Sequence, residues 1–226
     1  MIINKAELIK KIPFLFYFSH IDNAIDILNY GLFSRNQAEH ELLIQKDFSN
    51  KYVQSRRNKI IELSNSKELE LHNLVNLYFN PINPTLAVTQ RNYGHEDIVI
   101  YCIDFNKIIS DKKIGIAFTD RNAAVNEDNL NIYNNLNSID QLNFDIIHGS
   151  YLKDRNDSTY TNWKQIRSAE FFVYPSVSPD YINNVLTTSN ETKNYLEEEI
   201  NSYQLKLQSF NGIQVDKNLD MYSFYS

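Results

Sequence analysis

The sequence predicts an α/β (α+β) fold, and two kinds of segment, together with the size of the chain, carry that prediction. Short apolar runs of strand length recur at residues 14–18, 74–79, 98–103, 114–118 and 171–173, each bounded by polar or turn-forming residues. Around them, residues 22–30 and 191–207 place apolar side chains at helical spacing. A chain of 226 residues with 42% hydrophobic and 13% aromatic content is long enough to bury a substantial core, most simply as one domain.

In chain order, Phe14-Leu15-Phe16-Tyr17-Phe18 reads as a buried strand. A helix follows, with Ile21, Ile25, Leu28 and Leu32 at helical spacing and Gly31 as its stop. Ser19-His20 forms the connection. Backbone N–H groups at such a helix start can receive an anionic or hydroxyl-rich ligand, or a polar residue there can simply cap the helix. Residues 40–72 read as mixed helix and polar loop. They contain the basic cluster Arg56-Arg57-Asn58-Lys59, either a solvated face or a ligand contact.

Residues 74–79 form a second strand, closed by the Asn80-Pro81 and Asn83-Pro84 turns. The run 98–103 has the look of a fully buried central strand. Residues 114–118 form another, with Thr119-Asp120-Arg121-Asn122 as a polar turn at its end. Residues 182–187 read as an edge strand. In 191–207, Leu196, Ile200, Tyr203 and Leu207 share one helical face, and the aromatic tail 221–225 returns to the sheet.

The net charge of −6 and pI near 5.4 argue against broad electrostatic coating of nucleic acid, although a local basic groove stays open. The single cysteine, Cys102, lies in an apolar run, so neither a disulfide framework nor a thiolate metal cluster is available, and a reducing cytoplasm fits. No run approaches membrane-spanning length, and residues 1–11 lack the continuous apolar core of a signal peptide. There is no glycine-rich phosphate loop, so neither a Rossmann nor a P-loop nucleotide site is supported.

The most informative stretch is Arg167-Ser168-Ala169-Glu170-Phe171-Phe172-Val173. Glu170 enters an apolar strand, where an unpaired carboxylate would cost several kcal/mol or shift its pKa. Two readings stand side by side, an ion pair with Arg167 or Lys164 and a catalytic carboxylate. The segment before it, 122–167, is long, polar and weakly periodic apart from a helical suggestion at 130–136. Tyr133, Phe144, Tyr151, Tyr160 and Trp163 recur there among Lys153, Arg155, Lys164 and Arg167. That mixture suits a single-stranded nucleic-acid groove, and equally a surface loop anchored by its rings.

The short motifs Tyr17-Phe18-Ser19-His20-Ile21-Asp22-Asn23, Gly31-Leu32, Gln54-Ser55-Arg56-Arg57, Leu77-Tyr78-Phe79-Asn80-Pro81, Asn83-Pro84-Thr85-Leu86, Phe118-Thr119-Asp120-Arg121, Ser138-Ile139-Asp140 and Ala169-Glu170-Phe171 follow one another in an order that resembles the DarT family of bacterial DNA ADP-ribosyltransferase toxins. The resemblance runs nearly end to end. It implies a single ADP-ribosyltransferase domain over residues 1–226, with a central mixed or antiparallel sheet and flanking helices. The implied reaction moves ADP-ribose from NAD, a co-substrate, onto a base of single-stranded DNA, with no metal.

By the same resemblance Glu170 is the catalytic glutamate and Arg57 its essential partner, also in contact with NAD. Tyr17, Phe18 and Ser19 line the NAD site, where relatives often carry His or Arg and then Thr, so Tyr17 is a departure. His20 matches a family histidine. Asp26 stands where the family has a further NAD contact, with a different residue type. The loop of about 122–170 corresponds to the substrate-recognition segment, and Lys153, Arg155, Lys164 and Arg167 within it, with Arg121 just before it, are the candidate DNA contacts. The Gln-x-Arg-Arg and Phe-Thr-Asp-Arg elements resemble the thymine-modifying branch more than the guanine-modifying one. A cognate macrodomain antitoxin is implied as partner, and the chain is expected to be a cytoplasmic monomer that blocks replication. Transfer to protein or RNA, or an inactive nucleic-acid-binding relative, are the competing readings.

Overall fold

The computed structural model describes residues 12–43, 57–125, 130–149 and 156–221. Its strands are β1 (Phe14–His20), β2 (Leu32–Phe33), β3 (Ile60–Glu62), β4 (Glu68–Glu70), β5 (Val75–Tyr78), β6 (Ile98–Asp104), β7 (Gly115–Thr119), β8 (Ile132–Tyr133), β9 (Glu170–Tyr174), β10 (Ser176–Val177), β11 (Ile182–Thr187) and β12 (Ile213–Val215). The helices are α1 (Ala24–Tyr30), α2 (Arg35–His40), α3 (Pro84–Tyr93), α4 (Phe105–Ser110), α5 (Phe144–Ile147), α6 (Tyr160–Arg167) and α7 (Asn190–Ser202).

Eight strands form one sheet in the order β12-β11-β6-β1-β5-β9-β7-β8. Its neighbours are antiparallel except β11 and β12, which run parallel. The mixed, mostly antiparallel α/β architecture expected from the sequence is therefore the one observed. β6 is buried along six consecutive residues, as its unbroken apolar run requires of a strand covered on both faces.

Side chains alternate along each strand and so build different layers on the two faces. Leu15, Leu77, Phe79, Tyr101, Phe118, Phe171 and Val173 point to the main core, which Leu28 of α1, Phe105 and Ile108 of α4, Ile147 of α5 and Leu196 of α7 complete. Phe79 meets Phe118, Phe144 and Phe171 edge to face at centroid distances of 6.4, 5.9 and 5.9 Å, the geometry favoured by ring quadrupoles. The opposite face has two separate covers. Leu86 and Ala87 of α3, with Leu219 and Met221, lie over Ile98 and Ile100. Ile61 and Leu63, in and just after β3, lie over Ala117 and Phe172. Tyr78 and Glu170 emerge between these two covers.

Several expectations are corrected. The run 182–187 is interior, because the three-residue β12, too short to signal itself, takes the edge beyond it. Residues 60–70, expected as helix and loop, form the β3–β4 hairpin. The helical suggestion at 130–136 gives way to the two-residue β8, and the weakly periodic segment before Glu170 contains α6. Helix α7 ends at Ser202, so Tyr203 and Leu207 do not extend its apolar face, and Tyr203 is exposed. Met221 is buried beside β6, and the rest of the aromatic tail lies outside the described residues. Cys102 is buried, and burial pushes its thiol up to about 12. Among the described residues no helix is long and apolar enough to cross a membrane.

Candidate active site

The site is assembled at one end of β9 by strand register. Glu170, the first residue of β9, stands opposite Tyr78, the last residue of β5. Because Phe171 points into the main core, Glu170 faces the other way, on the side of Phe172. Its side chain is 0% exposed.

Arg57, 6% exposed, meets Glu170 with a two-pronged bond. Nη1 donates to Oε1 at 3.1 Å and Nη2 to Oε2 at 2.8 Å, and the guanidinium carbon lies 5.8 Å from the centre of the Phe172 ring. The Ala123 N–H donates a further bond to Oε1 at 3.3 Å. Thr119 Oγ1 accepts the Glu170 N–H at 3.3 Å while donating to the Arg121 carbonyl at 2.7 Å, which pins the start of the strand to the end of β7. The ion pair expected with Arg167 or Lys164 is thus corrected. Sequence neighbours of Glu170 do not reach its carboxylate, whereas Arg57 does.

Burial works to lower the Arg57 pKa, but the adjacent Glu170 carboxylate outweighs it, and the guanidinium is held above its ordinary value. For Tyr78, burial raises the pKa and the Glu170 charge raises it further. The phenol therefore stays neutral beside the ion pair. Asn76 Nδ2 donates to its oxygen at 3.4 Å, and the Thr85 side chain at the start of α3 also hydrogen-bonds it. Its ring stacks on Phe18 at 5.4 Å with an 11° tilt.

The NAD-site candidates divide by face. Phe18 lies with Tyr78 on the Glu170 side of the sheet, and strand alternation gives His20 the same side. Tyr17 packs toward the main core, its ring 6.0 Å from that of Tyr101, and Ser19 Oγ lies 3.1 Å from the Tyr101 hydroxyl. His20 ends β1 and is buried. Its Nδ1 accepts the Asp22 N–H at 3.1 Å and lies 3.1 Å from Asp22 Oδ2, so the cap reading of this connection is realised. Asp26 sits half-buried in the first turn of α1, turned away from the buried Ala24 and Leu28.

The basic candidates separate as well. Arg121 is partly buried, bonded to Asp120 through Nε at 3.3 Å and Nη2 at 3.1 Å, with Nη1 donating to Asn162 Oδ1 at 3.2 Å. Lys164 is exposed on α6, its ammonium 5.8 Å from the Tyr160 ring centre, the cation and ring pairing expected of this segment. Arg167 is buried. It donates to the carbonyls of Ile82 at 3.0 Å, Ile146 at 3.0 Å and Gly149 at 2.6 Å, and lies 5.4 Å from the Trp163 ring centre. These bonds make it an internal tie between α6 and the segments before it. Lys153 and Arg155 lie outside the described residues.

Against known proteins, the family model described as ssDNA thymidine ADP-ribosyltransferase, DarT, matches residues 16–222. The chain belongs to the DarT family. Among curated DarT relatives, a DNA ADP-ribosyl transferase-DNA ADP-ribosyl glycohydrolase fusion protein of Thermosipho africanus (strain H17ap60334) is 26% identical over 190 residues, covering 83% of this chain. The match takes up 46% of that relative, so the chain spans about half of its length. The fold is shared with Thermus sp. 2.9 DarT in complex with ADP-ribosylated ssDNA, at a TM-score of 0.76 and 20% identity, covering 92% of this chain and 96% of that one. The same DarT in complex with NAD+ superposes at 0.72 with 19% identity, covering 92% and 98%. Thermosipho africanus DarTG in complex with ADP-ribose also superposes at 0.72, with 23% identity, covering 91% and 50%.

Tyr78, Asn76, Thr85 and the Ala123 N–H join the site only in the structure. The first three lie in or beside the Leu77-Tyr78-Phe79-Asn80-Pro81 and Asn83-Pro84-Thr85-Leu86 motifs, which was the available signal. A backbone N–H leaves none.

Proposed function

We propose that this chain is a single NAD-dependent ADP-ribosyltransferase unit that transfers ADP-ribose from NAD to a thymine base of single-stranded DNA and releases nicotinamide. The observation that carries this reading is the buried Arg57–Glu170 fork at the end of β9 in a chain of the DarT family. The fold neighbours bound to NAD+ and to ADP-ribosylated ssDNA support the choice of substrates.

Breaking the bond between nicotinamide and C1′ builds positive charge on the ribose, as in glycoside hydrolysis. A preorganised carboxylate facing that carbon stabilises the charge without reorganising. Glu170 is suited to this. Arg57 and Ala123 fix its two oxygens, and among the described residues Oε2 accepts a bond from Arg57 alone, leaving it acceptor capacity for a ribose hydroxyl. Nicotinamide departs neutral with the bonding electron pair, so no acid is needed. A base nitrogen then forms the new bond to C1′ and gives up its proton to solvent.

Arg57, held protonated, does not take that proton. It orients Glu170 and offers positive charge to the NAD pyrophosphate or to an ionised base. Phe18 and His20 share the Glu170 face and line the NAD site, whereas Tyr17 and Ser19 pack toward the main core behind it. Arg121 and Lys164 mark the DNA side. Modified template bases block replication in the cytoplasm, and a macrodomain glycohydrolase that removes the mark is the partner this chemistry calls for. The fused DNA ADP-ribosyl glycohydrolase of the Thermosipho africanus relative supports that pairing.

The test incubates the protein with labelled NAD and, separately, thymine-containing single-stranded oligonucleotides, thymine-free ones, RNA and protein, with adducts located by mass spectrometry. Label is expected only on thymine-containing DNA, and Glu170→Gln is expected to lower transfer about 100- to 1,000-fold. Label on protein or RNA alone would reject the DNA reading, and full activity in Glu170→Gln would reject the mechanism.

A further inference from the structure

We infer that Lys59 is a positioning residue for the Glu170 carboxylate, acting through the backbone of the turn that carries Ala123. This inference rests on the function proposed above. Lys59 follows Arg57 by two residues and is half-buried, with its ammonium donating to the carbonyls of Ala123, at 2.9 Å, and of Val125. The turn it grips is closed by Val125 N–H donating to the Asn122 carbonyl at 3.2 Å. It is anchored to α6 by Asn122 N–H donating to the Gln165 carbonyl at 3.0 Å.

The N–H of Ala123 is the group that donates to Glu170 Oε1. The Lys59 carbonyl in turn accepts the Leu71 N–H at 3.0 Å, which ties it to the covering hairpin. One side chain therefore fixes the segment bearing Arg57 against the turn bearing the third donor to the carboxylate. Two carbonyls converging on an ammonium form a charge-assisted pair of bonds, stronger than neutral ones and directional enough to hold a short turn. Lys59 does not touch the carboxylate. Its effect is on where Oε1 points, and a misplacement of about 1 Å at a charged transition state costs up to about 100-fold.

The test compares wild type, Lys59→Met, Lys59→Arg, Ala123→Pro and the Lys59→Met/Ala123→Pro double variant in steady-state transfer from NAD to a thymine-containing oligonucleotide. Ala123→Pro removes the N–H donor at the second position of its turn, and because Ala123 is 0% exposed and packed in the cover over Phe172 its ring also displaces neighbours, so the fold of this variant is checked by circular dichroism before its kinetics are read. Lys59→Met is expected to lower kcat about 10- to 100-fold with KM for NAD changed less than about 2-fold. Lys59→Arg, which keeps the donors, retains most of the activity. The double variant loses no more than the worse single one, because both changes remove one linkage.

Wild-type kcat in Lys59→Met, or losses that multiply in the double variant, would overturn the inference. Amide hydrogen exchange at Ala123 gives an answer independent of turnover. Exchange at this amide is expected to rise at least about 10-fold in Lys59→Met. Unchanged exchange would overturn the inference even if wild type showed no transferase activity, an outcome that would separately reject the proposed function.

Discussion

A carboxylate removed from water must be paired, and at Glu170 pairing and reactivity draw on the same atoms. A buried ion pair contributes little net stability relative to apolar packing, yet losing one partner leaves the other stranded. Arg57→Ala is therefore expected to destabilise the fold by about 3–5 kcal/mol, read by denaturant unfolding. Arg57→Lys keeps the charge but loses the planar fork. It is expected to stay within about 1–2 kcal/mol of wild type while transfer falls about 10- to 100-fold. Equal stability in all three proteins would mean that Glu170 is not sealed from water. Glu170 announced itself in the sequence because a lone acid among Phe and Val demands a partner. That partner could not be read locally, since 113 residues separate it from Arg57 and only the strand register brings them together.

Among elements, legibility followed the strength of local backbone chemistry. The Asn83-Pro84 pair reads in sequence as a turn, and the structure shows that it also starts α3, a helix the apolar pattern does not signal: Asn83 Oδ1 accepts the N–H groups of Thr85, at 2.9 Å, and Leu86, at 3.0 Å, while Pro84 needs no acceptor. The β3–β4 hairpin was hidden by its turn, where Ser66 rather than Gly takes the positive φ of 62°, and by glutamates on its exposed positions. Helix α6 was hidden because it is eight residues long, polar on one side, and lacks a side-chain cap bond at Thr159. Gly31 is the element-level test. Its φ is 92°, and a Cβ there would stand 2.2 Å from the Val177 carbonyl oxygen, in the strand that pairs with β2. Gly31→Ala is expected to cost about 1–3 kcal/mol from backbone strain alone, with the steric contact in addition, and to lower the melting temperature. An unchanged melting temperature would show that the α1–β2 connection is not held as described.

At the scale of the molecule, one sheet serves two purposes because its faces are built differently. The main-core face is apolar nearly throughout, and the opposite face is covered in two patches with the Glu170 end of β9 between them. The central strands were legible from their apolar runs. The division of β1 between Phe18 on one face and Tyr17 and Ser19 on the other became visible only once neighbouring strands fixed which residues alternate inward. Charge follows the same logic. On the proposed function, with a net charge of −6, affinity for single-stranded DNA comes from few cations and several rings. Of the five candidate cations, Arg167 is bonded to three carbonyls and Arg121 is already matched by Asp120, leaving Lys164 in the open and Lys153 and Arg155 nearby in sequence. Three phosphate contacts give a slope of log affinity against log salt of about −2. Lys164→Ala should flatten that slope by about 0.7, whereas Arg167→Ala should leave the slope alone and lower stability, because it strips three part-buried carbonyls of their donor. Binding measured from 50 to 300 mM salt would decide it. A slope near −6 would mean that a wider cationic surface than this fold presents is engaged.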